Sequence, residues 1–332
     1  MTRRLDFMEK VLITGITGFV GSHLADYLLT MPNIEVHGTK RWHLSRMDHV
    51  AHIEDKVVWH DCNILDARSC RKVINDVQPD IVFHMASESF VSPSWDNPRV
   101  YMDTNYLGTV NMLEAIREIK PDTKFHIPGS GEEYGEIYED ELPITPETVL
   151  RPVNPYAVTK IAQDMIGYVY YRSYGLQVYR TRTFNHEGPR RDKVFGIPWY
   201  AYQVARIEAG KQSPLILTGD IDDKRNFTHV HDIVRAYWLS VHKCDAGELY
   251  LVGSDEDDKV YTFKEALEQI IDMSTVKGIK HQKDSQYIRP TTVPFLIGDT
   301  SKFREKTGWK PEIGFEQILT ETLDYWRGIV GR

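Results

Sequence analysis

Cysteine is scarce in this sequence, with three in 332 residues: Cys62, Cys70 and Cys244. They stand apart, odd in number and without ligand spacing, which argues against a disulfide framework or a zinc knuckle and fits a reducing, cytoplasmic setting. Long apolar runs are missing, so no membrane span is expected. The basic opening "MTRRLDFMEK" passes straight into a strand-like segment with no cleavage site, so no signal peptide is expected either. Positive charge is also in deficit: a formal charge of −8 argues against a general nucleic-acid or anionic-membrane surface. Internal repeats and low-complexity tracts are absent. What remains has a hydrophobic fraction of 41% and is long enough to bury a large core, as one big domain or a main domain with a smaller partner.

Strand-like runs alternate with helical patterns in the first half. "KVLITG" (10–15) is followed by "FVGSHLADYLL", whose Phe19, Leu24, Tyr27 and Leu28 have helical spacing. Further strands are expected at 34–38, 56–61, 80–86, 124–129, 176–184, 214–219 and 247–253, with helices at 69–77 and 104–119 between the early ones. That alternation predicts a parallel sheet covered on both faces. After about residue 186 the pattern loosens into "NHEGPRRDKVFGIP" and a proline-rich, basic stretch at 284–311, of the kind that builds a small lobe over the carboxyl ends of strands. A helical tail follows, with Phe315, Ile318, Leu319 and Leu323 on one apolar face.

"TGITGFVG" sets Gly15, Gly18 and Gly21 between strand and helix. Glycines there let the backbone turn tightly, approach a pyrophosphate and leave the helix's free N–H groups facing it. The second strand then ends without the acidic residue an NAD site wants for the ribose hydroxyls. It runs into "TKRWHLSR", where Lys40, Arg41 and Arg46 suit a 2′-phosphate, so the reading favours NADP.

Tyr156 and Lys160 in "NPYAVTK" fall four apart on one helix face, where an ammonium beside a phenol helps it exchange a proton with a sugar hydroxyl. "PGSGEEYG" (128–135) puts Ser130, Glu132 and Glu133 after a strand. Alone it reads as a solvated acidic turn, and Glu133 is expected to face solvent or a basic neighbour. In "HVHD" the alternating histidines invite a metal reading, but Asp232 as a helix cap is the simpler one. Trp238, Trp309 and Trp326 are expected in packing, and "DEDDKV" (255–260) as an exposed acidic turn.

Taken in order, "TGITGFVG", "HMASESF", Asn105, "GSGEEYG", "NPYAVTK", "TRTFNHEGPRR", "KRNFTHVHDIVRAY" and "GDTSKFREKTGW" resemble the extended short-chain dehydrogenase/reductase family of nucleotide-sugar epimerases and dehydratases. The likeness covers almost the whole chain and is nearest to the GDP-mannose 4,6-dehydratase branch. It implies an α/β fold with a Rossmann-type parallel sheet in an NADP-binding domain over 1–185, also receiving approximately 226–255. A smaller, mostly helical carboxy-terminal substrate lobe would come mainly from 186–225 and 256–332.

By the same resemblance Tyr156 and Lys160 are the oxidising pair, Ser130 polarises the sugar O4, and Glu132 abstracts the C5 proton and drives loss of water from C6. Thr17, Phe19, Val20, Asn63, Ile64, Met85, Ala86, Ser87, His186 and Arg191 join the glycines and the basic loop at the cofactor. Ser89, Asn185, Arg225 and Arg289 join Ser130 at the GDP-sugar. Gly131 stands where many relatives carry an acid, which leaves both proton transfers to Glu132. Asn63 replaces an aspartate at the adenine, and Ser130 replaces a threonine. Reductases of the 4-keto-6-deoxy sugar, and epimerases, share these motifs and stay open as alternatives. Helices over about 99–119 and 154–174 match the four-helix bundle of a homodimer, and the arginine loop matches a homotetramer contact.

Overall fold

The computed structural model describes residues 8–254 and 260–331; the acidic run 255–259, expected as an exposed turn, lies outside them. Seven strands form one sheet: β1 (Glu9–Thr14), β2 (Ile34–Lys40), β3 (Val58–Asp61), β4 (Ile81–His84), β5 (Lys124–Ser130), β6 (Gln177–Thr183) and a seventh, Leu249–Val252. Every pairing is parallel, in the spatial order β3, β2, β1, β4, β5, β6, seventh. Near-continuous apolar strands such as Val11–Ile13 and Ile81–Phe83 are wholly buried, as a sheet covered on both faces requires. Chain order reverses between β1 and β4, which opens a crevice at their carboxyl ends.

The two faces carry separate cores because side chains alternate along a strand. Val11 and Ile13 pack with α1 (Phe19–Leu29) and, farther along the chain, Val230–Lys243, whereas Leu12 packs with α2 (Ala67–Val77) and the Gly108–Ile119 helix. The single helix expected at 104–119 is divided: α3 (Pro98–Tyr101), a wide-turn π segment at Met102–Leu107, then α4 (Gly108–Ile119). The widened turn carries the buried Asn105, whose amide accepts from Ser87 Oγ and Glu88 N and donates to Glu88 O and Thr159 Oγ1, at 2.8 to 3.0 Å. One side chain thereby ties the strand-end segment after β4 to α5 (Pro155–Tyr174).

A third core joins α6 (Gly196–Glu208), α8 (Phe263–Asp272) and α10 (Phe315–Val330), with α7 (Val230–Lys243) and α9 (Ser301–Thr307) closer to the sheet. The apolar face expected on the tail is the buried face of α10. Leu215–Thr218 is a strand, paired with Lys280–Lys283 outside the central sheet. Trp309 and Trp326 are buried, and Trp238 is half-buried against the first core.

Two expectations need correction. The cap of α7 is His229, whose Nδ1 accepts the backbone N–H of His231 at 3.1 Å. Strand pairing of Thr228–His229 with His186–Glu187 ends at His229, so the helix starts before Asp232 is reached. Asp232 lies in the first turn and accepts the N–H groups of Glu312 and Ile313, both at 3.0 Å. Cys62 and Cys70, apart in sequence, are neighbours next to β3, where Cys70 Sγ donates to Ile64 O at 3.5 Å.

Candidate active site

At the crevice lie two clefts of about 800 and about 900 Å³, and Gly15, Gly18, Met85, Ser87 and Arg191 border both. The glycine turn leads from β1 into α1. Gly15 holds a φ of +65°, and a Cβ there would come 2.7 Å from Ala86 N; one on Gly21 would come 2.5 Å from Gly15 O. The close passage of β1 under Ala86, and the bare N-terminus of α1, leave a glycine-only cradle that fits a pyrophosphate.

On the wider side stand Thr17, Arg41, Arg46, Asn63, Ile64 and Ala86. Arg41 and Arg46 are exposed and flank a turn closed by Arg41 N–H to Ser45 Oγ, 2.8 Å. Asn63 Oδ1 accepts the N–H of Leu65 at 3.1 Å, which keeps one of its lone pairs for another donor. Phe19 and Val20 face the other cleft. His186 stacks on Phe19, 5.9 Å between ring centres, and Arg191 lies over Phe19 and Phe195 while pairing with the buried Glu187. Burial holds His186 far below the usual histidine value, at about 3, so the ring is neutral.

Ser130, Glu132, Tyr156 and Lys160 all open onto the smaller cleft. β5 ends at Ser130, and a single 3-10 turn, Gly131–Glu133, follows. Ser130 Oγ accepts Glu132 N–H at 3.2 Å, and Ser130 N–H donates to Glu133 Oε1 at 2.8 Å, a reciprocal cap that fixes the turn. Asn154 caps α5 by accepting Ala157 N–H at 2.7 Å, and its Nδ2 donates to Glu132 Oε2 at 3.0 Å. Tyr156, in the first turn of that helix, faces Ser130; burial pushes its phenol well above the ordinary tyrosine value. The free protein therefore holds it protonated at neutral pH.

Lys160 is buried one turn on. Its ammonium donates to Pro128 O at 2.6 Å and to Gln163 Oε1. Gln163 in turn donates to Thr109 Oγ1 at 2.8 Å, which meets His84 at 3.1 Å. Burial lowers Lys160 to about 8, with Glu133 and Asp164 opposing the shift. The ammonium is thus lost as pH rises through about 8, and kcat/KM is expected to fall about tenfold per further unit. A profile flat to pH 10 would contradict that.

Glu133 has the basic neighbour expected of it but no solvent. It is fully buried, and Arg182 Nε donates to it at 2.7 Å. Asp164 on α5 bridges Arg182 (2.7 Å) and Arg180 (2.9 Å) on β6. Burial raises Glu133, and Arg182 pulls it back; two N–H donors aimed at its oxygens favour the carboxylate. Sequence reasoning missed Asn154, Asp164 and Arg182. Only Asn154 left a local signal, an asparagine directly before the proline that starts a helix.

Gly131 acquires a reason of its own. A Cβ there would stand 2.3 Å from Leu296 Cδ2 and 3.1 Å from Phe184, so packing of the 295–296 strand leaves no room for an acid. Ser89 and Asn185 border the same cleft. Arg225 is buried and donates to Lys224 O, Val293 O and Pro294 O, which builds it into the lobe. Arg289 borders the cleft with no hydrogen-bond partner among the described residues.

The alternating histidines do meet an acid: ligand atoms of His229, His231 and Glu321 lie within 4.8 Å of one another. The tautomer argues against a metal. Because His229 Nδ1 accepts a backbone N–H, the neutral ring carries its proton on Nε2, which faces Glu321 at 3.1 Å. A ligating histidine needs that nitrogen bare and the other one donating.

Comparison with known proteins agrees with this arrangement. A family model described as GDP-mannose 4,6 dehydratase matches residues 12–322. A GDP-mannose 4,6-dehydratase of Yersinia enterocolitica is 32% identical over 351 residues, covering 95% of this chain and 93% of that protein. A GDP-6-deoxy-D-mannose reductase of Pseudomonas aeruginosa is 30% identical over 322 residues, covering 97% and 98%. The solved structure of RMD from Pseudomonas aeruginosa complexed with NADPH overlays with a TM-score of 0.81 at 30% identity, covering 97% of this chain and 99% of that one.

Proposed function

We infer, because this chain belongs to the GDP-mannose 4,6-dehydratase family, that it removes water from GDP-mannose or a closely related GDP-sugar to give the 4-keto-6-deoxy product. The observation that carries this is the Glu132 carboxylate, held open to the cleft that Tyr156 and Lys160 also line. Reducing a ketone calls for no base at C5, so the glutamate favours dehydration, although reductases share its motif. NADP bound along the glycine turn would supply a hydride acceptor first and a hydride donor last, so no net oxidation results.

The chain's own residues do the proton work. Tyr156, once bound cofactor and the Lys160 ammonium favour its phenolate and its own proton has left to solvent, takes the O4 proton as C4 becomes a ketone, while Ser130 hydrogen-bonds O4. The ketone acidifies the C5 hydrogen, and Glu132 removes it. The electron pair left behind forms the C5–C6 double bond, the C6–O bond breaks, and Glu132 returns its proton to the departing hydroxyl as water. Hydride addition at C6 and a solvent proton at C5 complete the product; the O4 proton, released to solvent, balances the latter.

For NADP the supporting residues are Gly15, Thr17, Gly18, Phe19, Val20 and Gly21 at the pyrophosphate, Arg41 and Arg46 at the 2′-phosphate, and Asn63 and Ile64 at the adenine. Met85, Ala86, Ser87, His186 and Arg191 border the path between the clefts. Arg289, with Arg225 beneath it, suits the sugar diphosphate, and Ser89 and Asn185 the sugar. We assign cofactor binding to residues 1–185 with approximately 226–255, and closure over the GDP-sugar mainly to 186–225 and 256–332. Three free cysteines support work in the cytoplasm, and recovery of the native protein only from a membrane fraction would count against it. Among the described residues no helix is long and apolar enough to cross a membrane.

The test is to mix the protein with GDP-mannose and catalytic NADP⁺ and to follow the sugar by mass. Loss of one water without build-up of NADPH is expected. No conversion there, with stoichiometric NADPH use on the 4-keto-6-deoxy sugar, would assign the reductase instead.

A homodimer is the assembly we propose. Val158, Met165 and Val169 stay exposed along one face of α5, beside Val100 and Leu107, and Trp42 and Leu44 in the arginine loop offer a second contact for a homotetramer. Sedimentation should give a dimer or tetramer, and Met165→Glu with Val169→Glu a smaller species; a wild-type monomer would contradict the proposal.

A further inference from the structure

The two ends of the Asn154 side chain serve different masters. Its Oδ1 accepts the N–H of Ala157 at 2.7 Å, and its Nδ2 donates to Glu132 Oε2 at 3.0 Å. Neither end can be exchanged for the other, because a backbone N–H only donates and a carboxylate only accepts. Asn154 is 6% exposed, and its backbone is anchored at the start of the helix that carries Tyr156 and Lys160. Glu132 sits on the opposite wall, in a one-turn segment after β5, and is only half-buried. A half-exposed glutamate on a short turn has several side-chain rotamers open to it; this hydrogen bond selects one.

We propose that Asn154 is a positioning residue for the elimination step, holding the Glu132 carboxylate at a set place relative to Tyr156 so that one glutamate reaches both C5 and the C6 hydroxyl. The role rests on the dehydratase reading above. With Gly131 closed to any side chain by Leu296 and Phe184, no partner acid from that position can take over if Glu132 swings away, which makes its placement consequential. Oxidation at C4 depends on Tyr156 and Lys160, whose helix is capped by the other end of Asn154, so the two functions of the residue are separable by substitution.

Asn154→Ser keeps a good helix cap and loses the donor to Glu132. Asn154→Asp also keeps the cap, and places a second carboxylate against the first. In a single turnover with GDP-mannose, the C4 step is read from transient reduced-nicotinamide absorbance and water loss from the mass of quenched product. For Asn154→Ser we expect water loss to slow about a hundredfold, the cost of a misplaced reacting group, with KM and the C4 step within about threefold of wild type and the melting temperature unchanged. Asn154→Asp should lose water more slowly still at the same melting temperature, because like charges push the Glu132 carboxylate away. Wild-type water loss by Asn154→Ser, or equal slowing of both steps, would overturn the positioning role while leaving the dehydratase reading intact. A wild-type protein that releases no water would overturn both.

Discussion

Glu132→Gln is expected to slow water loss by about ten-thousandfold, the upper end of what one acid–base group contributes, since here one group carries two proton transfers. Gln keeps the shape and can still accept the Asn154 donor at 3.0 Å, so the cleft should stay assembled. Oxidation at C4 needs Tyr156 and Lys160 and should survive within about threefold. The variant would then accumulate oxidised sugar together with reduced cofactor, a burst of absorbance without release of water. Equal loss of both steps would contradict the division of labour between the two walls of the cleft.

The second large effect is on stability. Arg182→Met removes the guanidinium that pairs with Glu133 and Asp164, and all three side chains are at most 2% exposed. Taking one partner from a buried pair leaves an uncompensated charge, and the cost is about 3–5 kcal/mol, read as a lower denaturant midpoint. Arg180 still holds Asp164 at 2.9 Å, so the stranded charge is mainly Glu133. Adding Glu133→Gln should therefore recover part of the loss.

The pH dependence of that variant has a defined sign. Burial already raises Glu133 above its ordinary value of 4.5, and without Arg182 it should rise further. The folded state then keeps a proton that the unfolded chain has released, a contribution complete below pH 4.5 and lost as pH rises through the folded value. Arg182→Met should be less destabilised relative to wild type at pH 5 than at pH 8. A larger loss at pH 5 would mean that Glu133 is not the stranded charge.

Features with a short sequence period could be read directly. Apolar runs gave the strands, and three glycines three residues apart gave a turn that only bare backbone can make under Ala86. Tyr156 and Lys160 are neighbours for the plain reason that a helix brings positions four apart together. What stayed hidden depends on partners distant in sequence. Arg182 and Glu133 are 49 residues apart, and nothing near either one says that they meet. The same limit explains the misread cap of α7: His229 and Asp232 are both capable acceptors, and pairing with His186–Glu187 decided between them. Gly131 looked like a lost acid when only its motif was considered; Leu296, 165 positions away, shows it as packing.

The central claim is that hydride leaves C4 and returns to C6 of the sugar while Glu132 carries the elimination between. It is tested most directly with GDP-mannose deuterated at C4, using catalytic NADP⁺ and product analysis by mass and NMR. Deuterium at C6 of a 4-keto-6-deoxy product, with no accumulation of reduced cofactor, is the predicted result. A dehydrated product without deuterium at C6, or conversion only with stoichiometric NADPH, would contradict it.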